Sequence, residues 1–264
     1  MIDRDVAYLL THEHDSDVEF HSLASVGVHT SADAYRVQRE YVRLQAKNRA
    51  TRAVGYKVGL TSKVVQSMCG ADGPVAGCVL ADSLRQSGAV LDLGNYGQLV
   101  LEFEIAVRIG QEIGVSEPID FAAVSRIIDA VCPALEIVDD RRCNYAKLHI
   151  PSIIADNVFN AGIVLGTFAT HWPDLGSARA TAFADGGVVG RGTGHDILGH
   201  PYNSIIWLAK HLAESGESLH AGDIVLTGSM IKPHRAAGTS AIRFDIEGFE
   251  SVNVTVRPHS ANSH

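Results

Sequence analysis

The sequence predicts an α+β fold in which a mixed sheet twists or rolls on itself. Three observations carry that prediction: strand-like segments dominate from residue 53 onward, helices come in ones and twos, and the regular β-α alternation of a doubly wound sheet is missing. A helical part over residues 1–52 precedes a β-rich part over residues 53–264 that reads as one compact unit. With 264 residues, 46% of them hydrophobic, the chain can bury a sizeable core.

The helical part rests on "SADAYRVQREYVRLQAKNRA", where Ala34, Val37, Tyr41 and Leu44 form one stripe behind a capping-box-like start at Thr30 and Asp33. From residue 53 the period changes. "AVGYKVGL" alternates, with Val54, Tyr56, Val58 and Leu60 on one face and Lys57 on the other. "PVAGCVLAD", "QLVLEFEIAVRI", "PALEIVDD" and "NAGIVLG" read as further strands, with a helix expected at "DFAAVSRIIDAV" among them. Next come "ATAFADGGVVGRG", whose Asp185-Gly186-Gly187 reads as a hairpin turn, and the helix "PYNSIIWLAKHLAES", opened by Pro201. The strands "DIVLTGS", "AIRFDIEG" and "SVNVTVRP" complete the series.

Composition narrows the function. Lys plus Arg number 22 against 30 Asp plus Glu, and the cations are scattered singly, which argues against a nucleic-acid partner. The acidic opening "MIDRDVAYLLTHEHDSD" lacks an apolar run of signal-peptide type, and no segment approaches the roughly 20 apolar residues of a membrane span. A cytoplasmic protein away from membranes is therefore expected. Cys69, Cys78, Cys132 and Cys143 show no C-x-x-C spacing and read as reduced thiols, while the pair His195 and His200 in "GHDILGHP" reads as a loop.

The unusual feature is charge within apolar strands. On "QLVLEFEIAVRI" the residues Leu99, Leu101, Phe103, Ile105, Val107 and Ile109 fill one face, and the other carries Glu102, Glu104 and Arg108. This is either a half-solvated strand with Arg108 partnering Glu104, or one side of a cation site. Glu136, set between Leu135 and Ile137, favours the second reading, because buried charges are rarely left unpaired. Three converging carboxylates make a hard oxygen site suited to Mg²⁺ or Mn²⁺. Lys57 is either a solvated lysine on a sheet face or, if desolvated beside a metal, a proton carrier.

Five ordered motifs, "GYKVGLTSK" (55–63), "EFEIAV" (102–107), "PALEIVDDR" (133–141), "ADN" (155–157) and "GHPYNSIIWLAKHLAESGESLHAGDIVLTGS" (199–229), resemble the 2-hydroxypentadienoate hydratase and 4-oxalocrotonate decarboxylase family of the fumarylacetoacetate-hydrolase superfamily. The resemblance runs from about residue 20 to the last strands. It implies a β-roll-like fold of the fumarylacetoacetase C-terminal-domain type, a bound divalent metal, homo-oligomers, association with a related pathway enzyme, and a role in meta-cleavage degradation of aromatic compounds. Carried over by position, Glu102, Glu104 and Glu136 match the metal carboxylates, Lys57 the active-site lysine, and Asp82 an acidic residue near the substrate. Ser229 matches the substrate-carboxylate end of the pocket, and Asn160 stands in the substrate-binding stretch. There the chain departs from the family, with Val158-Phe159-Asn160 in place of Ala-Ser-Ser.

The activity implied first is a metal-dependent lyase, a hydratase that adds water to a 2-hydroxy-2,4-dienoate through its 2-oxo tautomer and gives a 4-hydroxy-2-oxo acid. Lys57 and Asp82 are the candidate proton shuttles. Decarboxylation of a 4-oxalocrotonate-type 2-oxo-3-enedioate is the alternative. Acylpyruvate C–C hydrolysis and a non-catalytic partner subunit stand behind both.

Overall fold

The structure, a computed structural model, describes residues 3–115 and 117–258. Helices α1 (Asp3–Asp15) and α2 (Ser31–Asn48) come first. At the start of α2 the Thr30 hydroxyl accepts from the Asp33 N–H at 3.1 Å, and the Asp33 carboxylate accepts from the Thr30 N–H at 2.9 Å. The capping box read from the sequence is therefore present, and Ala34, Val37, Tyr41 and Leu44 are all buried.

The β-rich part opens with β1 (Ala53–Gly59), the short helix α3 (Lys63–Cys69), β2 (Val75–Leu80), β3 (Leu84–Gln86), β4 (Ala89–Asp92) and β5 (Leu99–Ile109). Helix α4 (Phe121–Ile127) runs straight into β6 (Ile128–Asp139). The helix expected over "DFAAVSRIIDAV" thus stops four residues early. Ile128–Val131 are claimed by pairing with β5, where tertiary partners outweigh local helical pattern. Helix α5 (Ile150–Ala155), β7 (Asn160–Leu165), β8 (Arg179–Ala184), β9 (Gly187–Thr193) and α6 (Pro201–Glu214) follow, with residues 185 and 186 turning the β8–β9 hairpin. Strand β10 (Ile224–Arg235) continues six residues beyond the expected "DIVLTGS", through register shifts against β5, and β11 (Ser240–Ile246) and β12 (Val252–Arg257) complete the fold. His195, read as a loop residue, lies in a 3-10 turn (Gly194–Asp196), and His200 is the N-cap of α6. Nδ1 of His195 lies 2.8 Å from the Gly199 carbonyl, and His200 caps α6 by accepting from the Tyr202 N–H.

The strands form a seven-stranded sheet of order β2-β1-β10-β5-β6-β7-β3 and a five-stranded sheet of order β4-β12-β11-β8-β9. Leu101, Phe103 and Ile105 of β5 join Ile242, Phe244 and Val254 of the smaller sheet in the main core, with Phe103 and Phe244 rings 5.4 Å apart. The opposite face of the large sheet meets the helices. Val75, Val100 and Val138 share a second core with Val6, Leu10, Val37, Leu44 and Ile154. The helical part thus has its apolar face buried on strands of the β-rich part.

A buried ionic cluster fastens that contact. Arg141, 2% exposed, donates to Asp156 at 2.6 Å and to Glu13 of α1 at 3.4 Å, and His14 lies 2.6 Å from the other Asp156 oxygen. No helix among the described residues is long and apolar enough to cross a membrane.

Candidate metal centre

The face of the large sheet that meets the helices also carries the three glutamates. Side chains alternate along a strand, so Val100, Glu102, Glu104 and Ala106 of β5 point to one side, and the paired residues of β6 point with them. Glu102 stands directly across from Glu136, and Glu104 across from Ser229 of β10. One carboxylate oxygen from each of Glu102, Glu104 and Glu136 lies within 4.8 Å of the others. The partnership of Arg108 with Glu104 is not formed. Arg108 donates to Asp129 at 2.7 Å, while Glu104 is fully buried.

Lys57 arrives from β1, next but one to β5. Its ammonium is buried and forms an ion pair with Oε2 of Glu136 at 3.1 Å. Three carboxylates against one ammonium leave negative charge in excess. Burial pushes the Glu104 carboxyl well above its ordinary value, Glu136 and Glu102 push it further, and Lys57 and the Gly228 N–H only partly restrain it. Glu136 is also raised, by burial first, with Lys57 opposing. For Lys57 burial favours the neutral amine, yet Glu136, Glu102 and Glu104 outweigh it and the pKa is raised.

Two details fit this cluster to a hard divalent cation. Oε1 of Glu104 is buried with no hydrogen-bond partner, an expensive state that a cation would relieve, and Oε2 of Glu136 has only the Lys57 ammonium beside it. The remaining oxygens are held in place. Oε2 of Glu104 accepts the Gly228 N–H at 2.7 Å, and Oε1 of Glu136 accepts from Nδ2 of Asn160 at 2.9 Å.

Of the residues expected at the site, the structure gathers Lys57, Glu102, Glu104, Glu136 and Asn160. Asn160 touches a glutamate, donating from Nδ2 to Oε1 of Glu136. Ser229 is adjacent, but its hydroxyl accepts the Phe103 N–H at 3.0 Å and donates to the Ile231 carbonyl at 2.8 Å, which pins the β10 irregularity. Asp82 is not brought in. It is exposed and ion-paired with Arg49 at 2.6 Å.

Sequence reasoning missed Gly228. Gly228 has φ of 115°, and a Cβ there would collide with the Thr61 side chain, so glycine alone lets this N–H reach Glu104. The glycine in "LTGS" was its only signal.

The sequence model of the family described as fumarylacetoacetate (FAA) hydrolase C-terminal matches residues 50–257. The chain is 36% identical over 206 residues to 2-keto-4-pentenoate hydratase 2 of Dechloromonas aromatica (strain RCB), covering 76% of this chain and 77% of that protein. It is 32% identical to a 4-oxalocrotonate decarboxylase of Pseudomonas putida, covering 85% and 84%. The structure of 4-oxalocrotonate decarboxylase from Pseudomonas putida G7, complexed with magnesium and adipate, superposes with a TM-score of 0.89 at 28% identity, covering 97% of each chain.

Proposed function

The chain belongs to the fumarylacetoacetate hydrolase C-terminal family, and from that premise we propose that it is a metal-dependent lyase of meta-cleavage catabolism, hydrating a 2-hydroxy-2,4-dienoate to a 4-hydroxy-2-oxo acid. The observation that carries the proposal is the cluster of the half-buried Glu102 with the buried Glu104 and Glu136 beside the Lys57 ammonium. The three glutamates would hold Mg²⁺ or Mn²⁺. When bound, such a cation supplies charge neutralisation and Lewis-acid polarisation of the 2-oxo acid end of the substrate.

The chain's own residues do the rest. Hydration of a 2-hydroxy-2,4-dienoate starts with loss of the proton on the C2 hydroxyl and gain of a proton at C5, which leaves the conjugated 2-oxo-3-enoate. Water then adds across that double bond, its oxygen to C4 and a proton to C3. Lys57 is the proton carrier at C5, because its buried ammonium borders the glutamates. Asn160 and the Gly228 N–H fix the orientation of Glu136 and Glu104. Ser229 holds β10 in the shape that delivers Gly228.

Decarboxylation of a 2-oxo-3-enedioate is the second reading, favoured by the whole-length likeness to 4-oxalocrotonate decarboxylase. Hydratases at 36% identity, against decarboxylases at 28% and 32%, put the hydratase first. Incubation of the purified protein with Mg²⁺ and each substrate separates the two. A 4-hydroxy-2-oxo acid formed without CO₂ supports the hydratase, and CO₂ release from the enedioate replaces it with the decarboxylase. A homo-oligomer belongs to the same proposal, and sedimentation velocity tests it.

A further inference from the structure

The backbone after α5 is strained in a way that the three glutamates alone do not explain. Asn157, Val158 and Phe159 all have positive φ, of 50°, 52° and 61°. For a β-branched residue such as Val158 this conformation is an outlier that persists only where the surroundings impose it. Here they do. Oδ1 of Asn157 accepts the Cys78 N–H at 2.7 Å, and its Nδ2 donates to the Cys78 carbonyl at 2.9 Å, so one side chain pairs with the β2 main chain as a neighbouring strand would. The approach is close. A Cβ at Gly77 would lie 2.7 Å from the Asn157 carbonyl oxygen, and glycine is what lets β2 come so near. Gln38 of α2 ties the same two segments together, its Nε2 donating to the carbonyls of Ala76 at 2.8 Å and Ile154 at 2.7 Å.

The clamped turn fixes where β7 begins. Along β6 and β7, Glu136 pairs with Ile163 and Ile137 with Gly162, but Val138 pairs with Asn160, so Ala161 is an extra residue on β7. Paired residues of an antiparallel sheet point to the same face, and Glu136 and Val138 share theirs. In unbroken register Ala161 would stand opposite Val138 on the glutamate face. The bulge gives that place to Asn160, whose Nδ2 reaches Oε1 of Glu136 at 2.9 Å. A slip of one residue would exchange this amide donor for a methyl group.

We propose that Asn157 is a positioning residue for the metal centre: by clamping the left-handed turn to Cys78 it holds the β7 register that delivers the Asn160 amide to Glu136. The strain at Val158 has a use in this arrangement. Three left-handed residues carry the chain from Asp156, which Arg141 holds, to Asn160 at the head of β7. A relaxed turn would follow another path, and the first side chain it would displace is the donor to Glu136. The Asn157 amide is spent on the β2 main chain, so its effect on Glu136 passes through Asn160. This role rests on the metal-bound reading of the glutamates and names a residue that sets the geometry of one of them.

Metal affinity, with no turnover required, tests it. Titration with Mn²⁺, followed by paramagnetic relaxation, compares wild type, Asn157→Gly, Asn160→Ala and the double variant. Glycine keeps the left-handed backbone and removes the clamp, so Asn157→Gly should bind Mn²⁺ about 10-fold more weakly, the low end of the range for residues that orient a metal ligand. In the Asn160→Ala background the same change should cost less than about 2-fold, because the donor it displaces is already gone. Asn157→Asp keeps the acceptor for the Cys78 N–H but turns an oxygen on the Cys78 carbonyl, and it should lose affinity in the same background-dependent way. A merely structural role would lower affinity by the same factor in both backgrounds. That result overturns the proposal, as does wild-type affinity in both Asn157 variants. Thermal melting identifies a variant that has lost its fold, and the cycle built on the other variant then decides. Wild type that binds no Mn²⁺ overturns the metal reading itself, and the positioning role with it.

Discussion

Nζ of Lys57 stands 3.1 Å from Oε2 of Glu136, both side chains withdrawn from solvent, and this ion pair neutralises one of the three carboxylates gathered on the sheet. The surplus charge makes stability without metal depend on pH. The Glu104 and Glu136 carboxyls have folded-state pKa values above the ordinary 4.5, so between the two values the folded state binds more protons than the unfolded chain. Their contribution is full below 4.5 and lost as pH rises through the raised values. Thermal melts in EDTA should therefore fall as pH climbs from the ordinary carboxylate range toward neutrality. Glu104→Gln should flatten that decline, and Mg²⁺ should reverse it. Metal binding should release protons, read by calorimetry in buffers of different ionisation enthalpy.

Asn160 reaches only one oxygen of Glu136, so its loss should loosen the centre without dismantling it. Asn160→Ala is expected to weaken Mg²⁺ affinity by about 10–100-fold, the usual effect of removing a residue that orients a metal ligand. Glu104→Gln and Glu136→Gln should abolish both metal binding and turnover. Equilibrium titration with Mn²⁺ as a paramagnetic probe measures all three, and unchanged Mn²⁺ affinity in the Asn160 variant contradicts the orienting role.

Gly228→Ala tests the backbone donor. The added methyl meets the Thr61 side chain, and φ of 115° disfavours any side chain, so a destabilisation beyond about 1 kcal/mol is expected in urea unfolding. Metal affinity should fall with it, because the Gly228 N–H moves away from Glu104.

Arg141 is the test of how the helical part is fastened. Removing it leaves Asp156 and Glu13 buried without their cation, a loss of about 3–5 kcal/mol for a buried pair broken on one side. Arg141→Met should therefore lower the unfolding midpoint strongly and speed amide exchange in α1 first. Uniform exchange across the chain would show that the cluster does not hold α1.

Much of this arrangement was legible because it depends on period and charge. Alternation along residues 99–109 put Glu102 and Glu104 on one face, and the apolar neighbours of Glu136 marked it as buried. Partnership across strands was not legible: nothing near Arg108 in sequence names Asp129, and nothing near Asp82 names Arg49. The early end of α4 was missed because Ile128–Val131 fit a helix locally and are recruited by β5 from far along the chain. The left-handed turn at Asn157–Phe159 was hidden for the same reason, since the clamp on Cys78 comes from β2.

Strand β10 lies between β1 and β5, although more than a hundred residues separate it from either. During synthesis β5 and β6 can zip together early, but the gap beside β5 stays open until residues 224–235 have left the ribosome. Glu104 and Glu136 accordingly stay hydrated from their own emergence, and their ionic burden falls on the chain only when β10 closes the sheet and Lys57 is carried in.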